Sequence, residues 1–201
     1  MIGEHGPTAS GENWDVYLGA QRFISQQEAA AVAAEAEYLW NLPDPIAGDC
    51  RVTVVPNDRF DAGVKHVTQH WAVAGTTEFH ADYLKQSDGR HQRVIERIPR
   101  LFALIERAEA FTGSQKRDFV LNRFEPYGIM AEHQDAFATT VVAINLSGSG
   151  RVRLTDAGTA RRYRFHTEPG DAMVLRNGEY DDDRPYHRAA ALGAGRLSIA
   201  L

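Results

Sequence analysis

The fold is decided by residues 139–175, which read TTVVAINLSGSGRVRLTDAGTARRYRFHTEPGDAMVL. This stretch contains short apolar segments at Thr139–Leu146, Val152–Thr155, Tyr163–Phe165 and Ala172–Leu175. Glycine, proline, asparagine or aspartate lies between most of them, as in the turns that join short strands. Evenly spaced short strands with such turns are typical of sandwiches, jelly rolls and barrels.

The same pattern extends to both sides of this stretch. Phe119–Phe124 precedes it and Leu197–Leu201 follows it, so we predict an all-β C-terminal half. Earlier in the chain, Val52–Val55 and Val67–Val73 also have the composition of strands. The sequence therefore predicts an α+β protein that is mainly β, with most of its strands after Lys116.

Two helices are predicted before the β-rich half. Ser25-Gln-Gln-Glu28 has the form of a capping box, and the alanine-rich run that follows it continues to Trp40 and ends before Pro43. A second helix begins near Pro99, because proline is favoured at the first helical position, and apolar residues follow at helical spacing. Gly113 is placed to cap the C-terminal end of this helix.

Composition and length limit the classes of protein to consider. The chain has 201 residues, of which 43% are hydrophobic and 24% are charged, as in an ordinary globular domain. We expect one domain, in which residues 1–115 supply helices and flanking strands and residues 116–201 supply the β core. The net charge of -5 provides no global basic field that would attract nucleic acid or anionic lipid. Cys50 is the single cysteine, which excludes an internal disulfide and a cysteine-based metal cage.

No secretory or membrane-spanning segment is indicated by the sequence. Met1–Asp15 is polar and glycine-rich and lacks the basic and apolar regions of a signal peptide. No run of about 18 apolar residues occurs anywhere. We therefore expect a cytoplasmic protein with no membrane partner, and the sequence gives no indication of the oligomeric state.

Eight histidines make a metal site the first functional hypothesis to consider. Local pairings that could supply ligands are His66-x-x-x-His70, His80-Ala-Asp82 and His133-Gln-Asp135. A histidine and a carboxylate two positions apart on a strand share one face, because side chains alternate across the pleat. Two imidazoles and one carboxylate on one face of an octahedron leave three positions open, as a mononuclear Fe(II) oxygenase requires.

Three further features favour the pairing of His133 with Asp135. His187 lies 54 residues after His133 and follows a predicted strand. Arg196-Leu-Ser198 places a guanidinium and a hydroxyl on one strand face, which suits the binding of a carboxylate. Asn122, in the stretch NRFEP, precedes His133 by eleven residues.

The rival pairings lack these companions. His133 follows His80 by 53 residues, but no Arg-x-Ser follows His133 after nine or ten residues, and no asparagine precedes His80 by eleven. His80 with Asp82 therefore stays a weaker alternative. His66 and His70 could share a helix face as a zinc pair, but no glutamate follows His66 as the zincin signature requires. We interpret these two as surface or half-buried histidines.

The ordered set of His-x-Asp, distal histidine and Arg-x-Ser resembles the Fe(II)/2-oxoglutarate-dependent oxygenases, whose fold is the double-stranded β-helix. The stretch from Asn122 to Asp135 is similar, more specifically, to AlkB-type members. The resemblance covers residues 117–201 and implies a jelly-roll, cupin-like core with N-terminal helices packed outside it. It also implies Fe(II) as the metal, 2-oxoglutarate as the co-substrate and dioxygen as the oxidant.

The resemblance implies a role for each matching residue. His133, Asp135 and His187 would bind the iron and form the catalytic centre. Arg196 would pair with the distal carboxylate of 2-oxoglutarate, and Ser198 would hydrogen-bond to that carboxylate. The activity implied is oxidation of a substrate carbon, coupled to decarboxylation of 2-oxoglutarate to succinate. Hydroxylation, cyclisation, desaturation and demethylation would all use the same residues.

Two further positions concern the co-substrate. The resemblance implies that Asn122 lies near 2-oxoglutarate. The AlkB-type tyrosine two residues later is Phe124 here, so its hydroxyl is lost. Tyr127 is the candidate to supply a hydroxyl to the co-substrate instead, and the alternative is that position 124 only packs.

Charge near the predicted site favours a small, polar, amine-bearing substrate, such as an aminoglycoside-like or other natural-product intermediate. Asp181, Asp182 and Asp183 lie four to six residues before His187, where they would attract a cation and repel phosphate. A run of arginines favours a nucleic-acid substrate instead: Arg151, Arg153, Arg161, Arg162 and Arg164. On strands, however, such residues line one exposed face of a sheet. The alternatives are an AlkB-type oxidative demethylase of nucleic acid and a non-catalytic jelly-roll binding domain.

Overall fold

A computed structural model of the protein describes residues 9–11, 14–20, 23–42, 51–56, 66–72, 97–113, 118–134, 140–176 and 184–201. The strands in these residues are β1 (Ala9–Ser10), β2 (Asp15–Ala20), β3 (Arg51–Pro56), β4 (His66–Ala72), β5 (Asp118–Phe124), β6 (Thr140–Thr155), β7 (Arg162–Thr167), β8 (Ala172–Arg176) and β9 (Tyr186–Ala200). The helices are α1 (Gln26–Trp40) and α2 (Pro99–Thr112). Neither of these two helices combines the length and the apolarity that a membrane span requires.

Antiparallel pairing joins all of these strands. The order is β1-β2-β8-β6-β9-β5-β4-β3, and β7 pairs with β6 outside this path. The first part of β6 pairs with β8 and with the end of β9, whereas its second part lies between β7 and the start of β9. The two long strands β6 and β9 therefore belong to two layers. The fold is a double-stranded β-helix with two helices outside it.

The bend in β6 corrects one prediction from the sequence. From Thr140 onward, the segments predicted at Thr139–Leu146 and Val152–Thr155 belong to one strand, β6, and the turn predicted between them is wrong. Register shifts between Asn145 and Ser149 mark a bulge there instead. Gly148 has a φ of 67°, and a Cβ on it would lie 2.3 Å from the carbonyl oxygen of Gly195. Glycine therefore lets β6 bend across β9 without ending.

Both helices lie where the sequence predicts them. The side chain of Ser25 accepts a hydrogen bond from the backbone N–H of Glu28 at 3.1 Å, and the Glu28 carboxylate accepts one from the N–H of Ser25 at 2.9 Å. α2 begins at Pro99 and ends before Gly113, whose φ of 68° is left-handed. The capping signals alone were sufficient to locate these ends.

The N-terminus of α2 receives its cap from α1, a contact that the sequence did not indicate. Ile98 precedes α2 and supplies no side-chain hydrogen bond. The buried carboxylate of Glu35 accepts hydrogen bonds from the backbone N–H groups of Arg100 and Leu101, at 3.2 and 2.8 Å. A carboxylate at this end of a helix satisfies orphan donors and interacts favourably with the helix dipole.

The wider of the two layers contains β8, the first part of β6, the end of β9, β5, β4 and β3, and its two faces differ. Its outer face carries Leu121, Ile144 and Ile199, which pack with buried residues of both helices such as Leu39 and Leu101. Because side chains alternate along a strand, the residues next to these point between the two layers. The inner face is where the predicted co-substrate residues lie.

The β4 region confirms one prediction and corrects another. Val67–Val73 was predicted as a strand, and β4 covers His66–Ala72. His66 and His70 therefore cannot share a helix face. The interpretation of His66 as a surface or half-buried residue is also wrong, because only 1% of it is exposed. The sequence did not indicate the short strands β1 and β2.

Candidate active site

His133 and His187 face each other across an isolated antiparallel bridge. The backbone N–H of His133 donates to the carbonyl of His187 at 3.0 Å, and the reciprocal bond measures 2.8 Å. Residues that are directly opposite in such a pair present their side chains on the same face. The two imidazole rings accordingly lie 4.2 Å apart, centroid to centroid. Strand pairing thus brings together two predicted ligands that are 54 residues apart in sequence.

Local hydrogen bonds orient this pair. Nδ1 of His133 lies 2.9 Å from the carbonyl oxygen of Ala131. Since a carbonyl can only accept, Nδ1 carries the proton, and Nε2 is the nitrogen whose lone pair suits a metal. The side chain of Gln134 donates to the carbonyl of Arg184 at 2.6 Å, which ties the segment after His133 to the segment before His187.

A row of buried polar side chains crosses four strands on the inner face. Thr68 pairs with Asn122, Asn122 with Ser198, and Ser198 with Asn145. All four residues are at least nine-tenths buried. Oδ1 of Asn122 accepts a hydrogen bond from the hydroxyl of Thr68 at 3.1 Å and lies 2.9 Å from Nε2 of His66. With its oxygen engaged twice, Asn122 has its Nδ2 group with which to donate to a ligand.

Arg196 is a buried cation beside this row. Its Nε donates to Oδ1 of Asn145 at 3.1 Å, and its guanidinium carbon lies 5.2 Å from the centroid of the Phe124 ring. Burial lowers the pKa of Arg196 to about 10, which leaves it protonated at neutral pH. Nη1 is buried and has no hydrogen-bond partner among the described residues. Because a buried charge is costly unless it is paired, an anionic group is the partner that Arg196 lacks.

Gly150 makes room for this arginine. A Cβ at position 150 would lie 2.7 Å from Nε and 2.8 Å from Cζ of Arg196. A side chain at this position would displace the guanidinium from its place against β6. The glycine that the sequence suggested as part of a turn therefore serves the candidate site.

His66 contacts this row through the side chains of Asn122 and Thr68. Its ring stacks on that of Phe124, with 4.4 Å between the centroids. Burial, with a smaller contribution from the charges of His133 and Arg196, lowers the pKa of His66 to about 4, although its hydrogen bond to Asn122 acts in the opposite direction. His66 is therefore neutral at pH 7. Phe124 packs between His66 and Arg196, in agreement with the alternative that position 124 only packs.

The two facing histidines and part of the polar row border a cavity of about 350 Å³ between the two layers. The predicted residues that line it are His133, His187, Asn122, Arg196 and Ser198. Its apolar walls come from both layers and include Val120, Met130, Val141, Ala143, Val152, Met173, Leu175, Ala189 and Ala200. The cavity therefore combines two imidazoles, a polar row and a buried cation within apolar walls.

Tyr127 is not brought to this cavity. Its side chain is 73% exposed, and it borders a different cleft on the outer face of the β6–β9 layer. The structure therefore does not bring its hydroxyl to the residues predicted to bind the co-substrate.

Other predicted residues lie outside the described part of the chain. They are Asp135, Asp181, Asp182 and Asp183, together with the rival pair His80 and Asp82. Among the described residues, no group of three His, Cys, Asp or Glu side chains is arranged to hold a metal. Asp135 as the third ligand thus stays a prediction.

Sequence reasoning missed His66, Thr68, Asn145 and Gly150. The first two are the first and third residues of β4, a strand that was predicted only from Val67 onward, and nothing local indicates that β4 pairs with β5. The position of Asn145 beside Arg196 depends on the bulge in β6. A polar residue within an otherwise apolar strand was the available signal, and Asn145 carries it.

No protein-family profile matches the sequence, and no curated protein matches it. Among solved structures, a prolyl-4-hydroxylase from Pseudomonas putida is similar over 94% of this chain and 90% of its own, with 16% identity and a TM-score of 0.48. The cupin domain of Drosophila melanogaster CENP-C is similar over 41% of this chain and 58% of its own, with 14% identity and a TM-score of 0.35. An oxalate oxidase is similar over 41% of this chain and 39% of its own, with 16% identity and a TM-score of 0.36. The assignment of the fold rests on the strand pairing described above.

Proposed function

We propose that the protein is an Fe(II)- and 2-oxoglutarate-dependent dioxygenase that oxidises a small, polar, amine-bearing metabolite. In this proposal His133, Asp135 and His187 hold the iron. Arg196 and Ser198 hold the distal carboxylate of 2-oxoglutarate.

The observation that carries the proposal is the buried Nη1 of Arg196, which has no partner among the described residues and borders the same cavity as His133 and His187. A guanidinium in this state needs an anion, and a carboxylate accepts from it with good geometry. The imidazoles are donors that suit a divalent iron. A ligand with a carboxylate for Arg196 and a second group for a metal satisfies both requirements.

The residues of the chain would bind, orient and shield the reactants. Arg196, with Nδ2 of Asn122 and the hydroxyl of Ser198, would bind and orient the co-substrate. The Nδ1–H of His133, held by the Ala131 carbonyl, keeps Nε2 directed to the metal. The apolar walls exclude water from the reacting groups. The iron and co-substrate supply, when bound, the activation of dioxygen and the oxidation of a substrate carbon.

The substrate class rests on the sequence. Asp181, Asp182 and Asp183 precede β9, the strand that carries His187, by only a few residues. Their spacing from His187 predicts that these carboxylates lie near the metal site, where they would favour a cationic substrate by steering it. Changing all three to asparagine should raise KM for an amine-bearing substrate, and added salt should reduce the difference.

The first test is anaerobic binding of Fe(II) and 2-oxoglutarate to the purified protein. We expect a visible absorption band that requires both components and is absent from His187→Ala and Asp135→Ala. The exposed His166 on β7 provides a matched control, and His166→Ala should keep the band. Absence of the band in the unchanged protein would reject the oxygenase and favour a binding domain.

A second test separates the candidate substrates. In the presence of dioxygen, formation of succinate should increase when amine-bearing metabolites are added. Preferred turnover of methylated oligonucleotides would instead establish the AlkB-type alternative and reject the proposed substrate class.

A further inference from the structure

The narrow layer, formed by β7, the second part of β6 and the start of β9, carries on its outer face a cleft that the proposed oxygenase does not use. The cleft has a volume of about 410 Å³ and lies on the opposite side of β6 and β9 from the cavity described above. On β6, Val152 and Leu154 point inward and are buried, so Arg151 and Arg153 point outward.

Three arginines in this cleft are neighbours across three strands. Arg153 pairs with Arg164 on β7 and with Arg188 on β9. Arg151, two residues before Arg153, adds a fourth guanidinium to the same cleft. Like charges that are directly opposite in a sheet destabilise it, so this arrangement opposes folding unless an anion compensates.

The described residues supply little of that compensation. Among them, Glu132 is the only carboxylate that forms an ion pair with one of the four, at 3.0 Å from Nη2 of Arg153. Nε of Arg153 is buried and has no partner within the same part of the chain. Burial acts to raise the pKa of Glu132, but hydrogen bonds from Thr155 and Arg153 outweigh it and the pKa is lowered. One carboxylate therefore faces four cations.

The cleft also has an apolar side. Ile129, Ala190 and Leu192 form part of its lining, and the exposed ring of Tyr127 stands beside them. The backbone of Tyr127 has a φ of 61°, which is unfavourable for a residue with a bulky side chain. The N–H of Gly128 donates to the backbone carbonyl of Glu125 at 2.8 Å and closes the turn that contains Tyr127.

We propose that this cleft binds a small ligand with at least two phosphate groups and an aromatic or apolar part, as in a nucleoside diphosphate. Neighbouring strands lie about 4.8 Å apart, so the three paired arginines span about 10 Å. That distance suits one compact polyanion better than a tract of several nucleotides, for which single-strand binders use longer grooves. The phosphates contact the guanidiniums, and the apolar part packs against Tyr127 and Ile129. The ligand site is separate from the inner cavity, and it does not depend on the function proposed for that cavity.

The test is calorimetric titration of the full chain with pyrophosphate, ADP and inorganic phosphate. We expect pyrophosphate and ADP to bind more tightly than phosphate, and added salt to weaken all three. Arg188→Gln and Arg164→Gln should each weaken pyrophosphate binding roughly tenfold, the usual effect of losing a charge-assisted hydrogen bond. Arg161→Gln is the matched control, because Arg161 lies beside the same hairpin, against Tyr163, and is not part of the cleft.

A second variant tests the apolar side. Tyr127→Gly relieves the positive φ, so the melting temperature should not fall. The same change should weaken ADP but not pyrophosphate. Equal losses in Arg161→Gln and Arg188→Gln would overturn the proposal, as would no binding of pyrophosphate or ADP at millimolar concentration in low salt. A single-stranded oligonucleotide that binds more tightly than ADP would show a nucleic-acid surface instead and would equally overturn it.

Discussion

At the scale of the residue, the buried guanidinium of Arg196 gives the most direct test of the candidate site. Arg196→Lys replaces a planar fork of donors by one point charge, which is not a conservative change at a carboxylate site. The loss of one charge-assisted hydrogen bond costs about 1.5–3 kcal/mol, so the dissociation constant for 2-oxoglutarate should rise by roughly ten- to a hundredfold. Titration with 2-oxoglutarate in the presence of a divalent metal measures this constant.

Two further measurements separate co-substrate binding from a structural role of Arg196. The melting temperature of the ligand-free variant reports on folding alone. Arg161→Lys, which changes an exposed arginine outside the cavity, should leave the 2-oxoglutarate affinity as it is. An unchanged affinity in Arg196→Lys would assign Arg196 to packing against Phe124 and Asn145 only.

His66 leads to a prediction about pH. Its pKa is about 4 in the folded protein and about 6.5 when unfolded, because burial disfavours the charged ring. The unfolded chain therefore binds the proton first, so the stability that neutral His66 contributes is present above pH 6.5 and is lost as the pH falls toward 4. The loss is on the order of 3 kcal/mol for a shift of this size.

Urea denaturation at pH values between 7 and 4 measures that loss. The free energy of unfolding should fall less steeply with decreasing pH in His66→Gln than in the unchanged protein. His166→Gln, at an exposed position, should keep the original slope. Identical slopes in all three proteins would mean that His66 titrates as it does in the unfolded chain.

At the scale of the element, α2 depends on a carboxylate from another helix. Glu35→Ala removes the acceptor of two backbone N–H groups at the N-terminus of α2, and the cost of losing a cap is about 1 kcal/mol. The N–H of Leu101 becomes unsatisfied in a buried place, so the cost should lie at or above that value. Thermal unfolding should show the decrease. Glu106 is exposed on α2, and Glu106→Ala should change the free energy of unfolding by less than about 0.5 kcal/mol. An equal effect of both variants would assign the loss to helix propensity or charge.

At the scale of the whole molecule, ligands should stabilise the fold because the cavity lies between its two layers. A ligand at a hundred times its dissociation constant adds about 2.7 kcal/mol to the free energy of unfolding. For a chain of this size, that corresponds to a rise in melting temperature of roughly 5–11 °C. Mn(II) with 2-oxoglutarate should produce this rise, EDTA should reverse it, and His187→Ala should abolish it. A rise of the same size in His187→Ala would place the binding outside the candidate site.

The sequence determined the elements whose signals are local. Helix α1 begins with the capping box of Ser25 and Glu28, and α2 lies between Pro99 and Gly113, because capping depends on residues within one turn. Short apolar segments separated by turn residues predicted the β-rich half in the same way. The motif spacing also predicted His133, His187, Asn122, Arg196 and Ser198 as one site, and these five border one cavity.

Tertiary structure decided the features that depend on strand pairing. Residues 145–150 read NLSGSG, which is the composition of a turn. Only the crossing of β9 makes this segment a bulge with room for Arg196. His66 and Asn122 are 56 residues apart, and nothing local relates them until β4 and β5 pair in register. Tyr127 is three residues from Phe124, yet the turn between them directs its ring to the opposite side of the layer from the cavity. Short-range sterics and hydrogen bonds depend on neighbouring residues, whereas register and burial are set only when distant strands pair around one core.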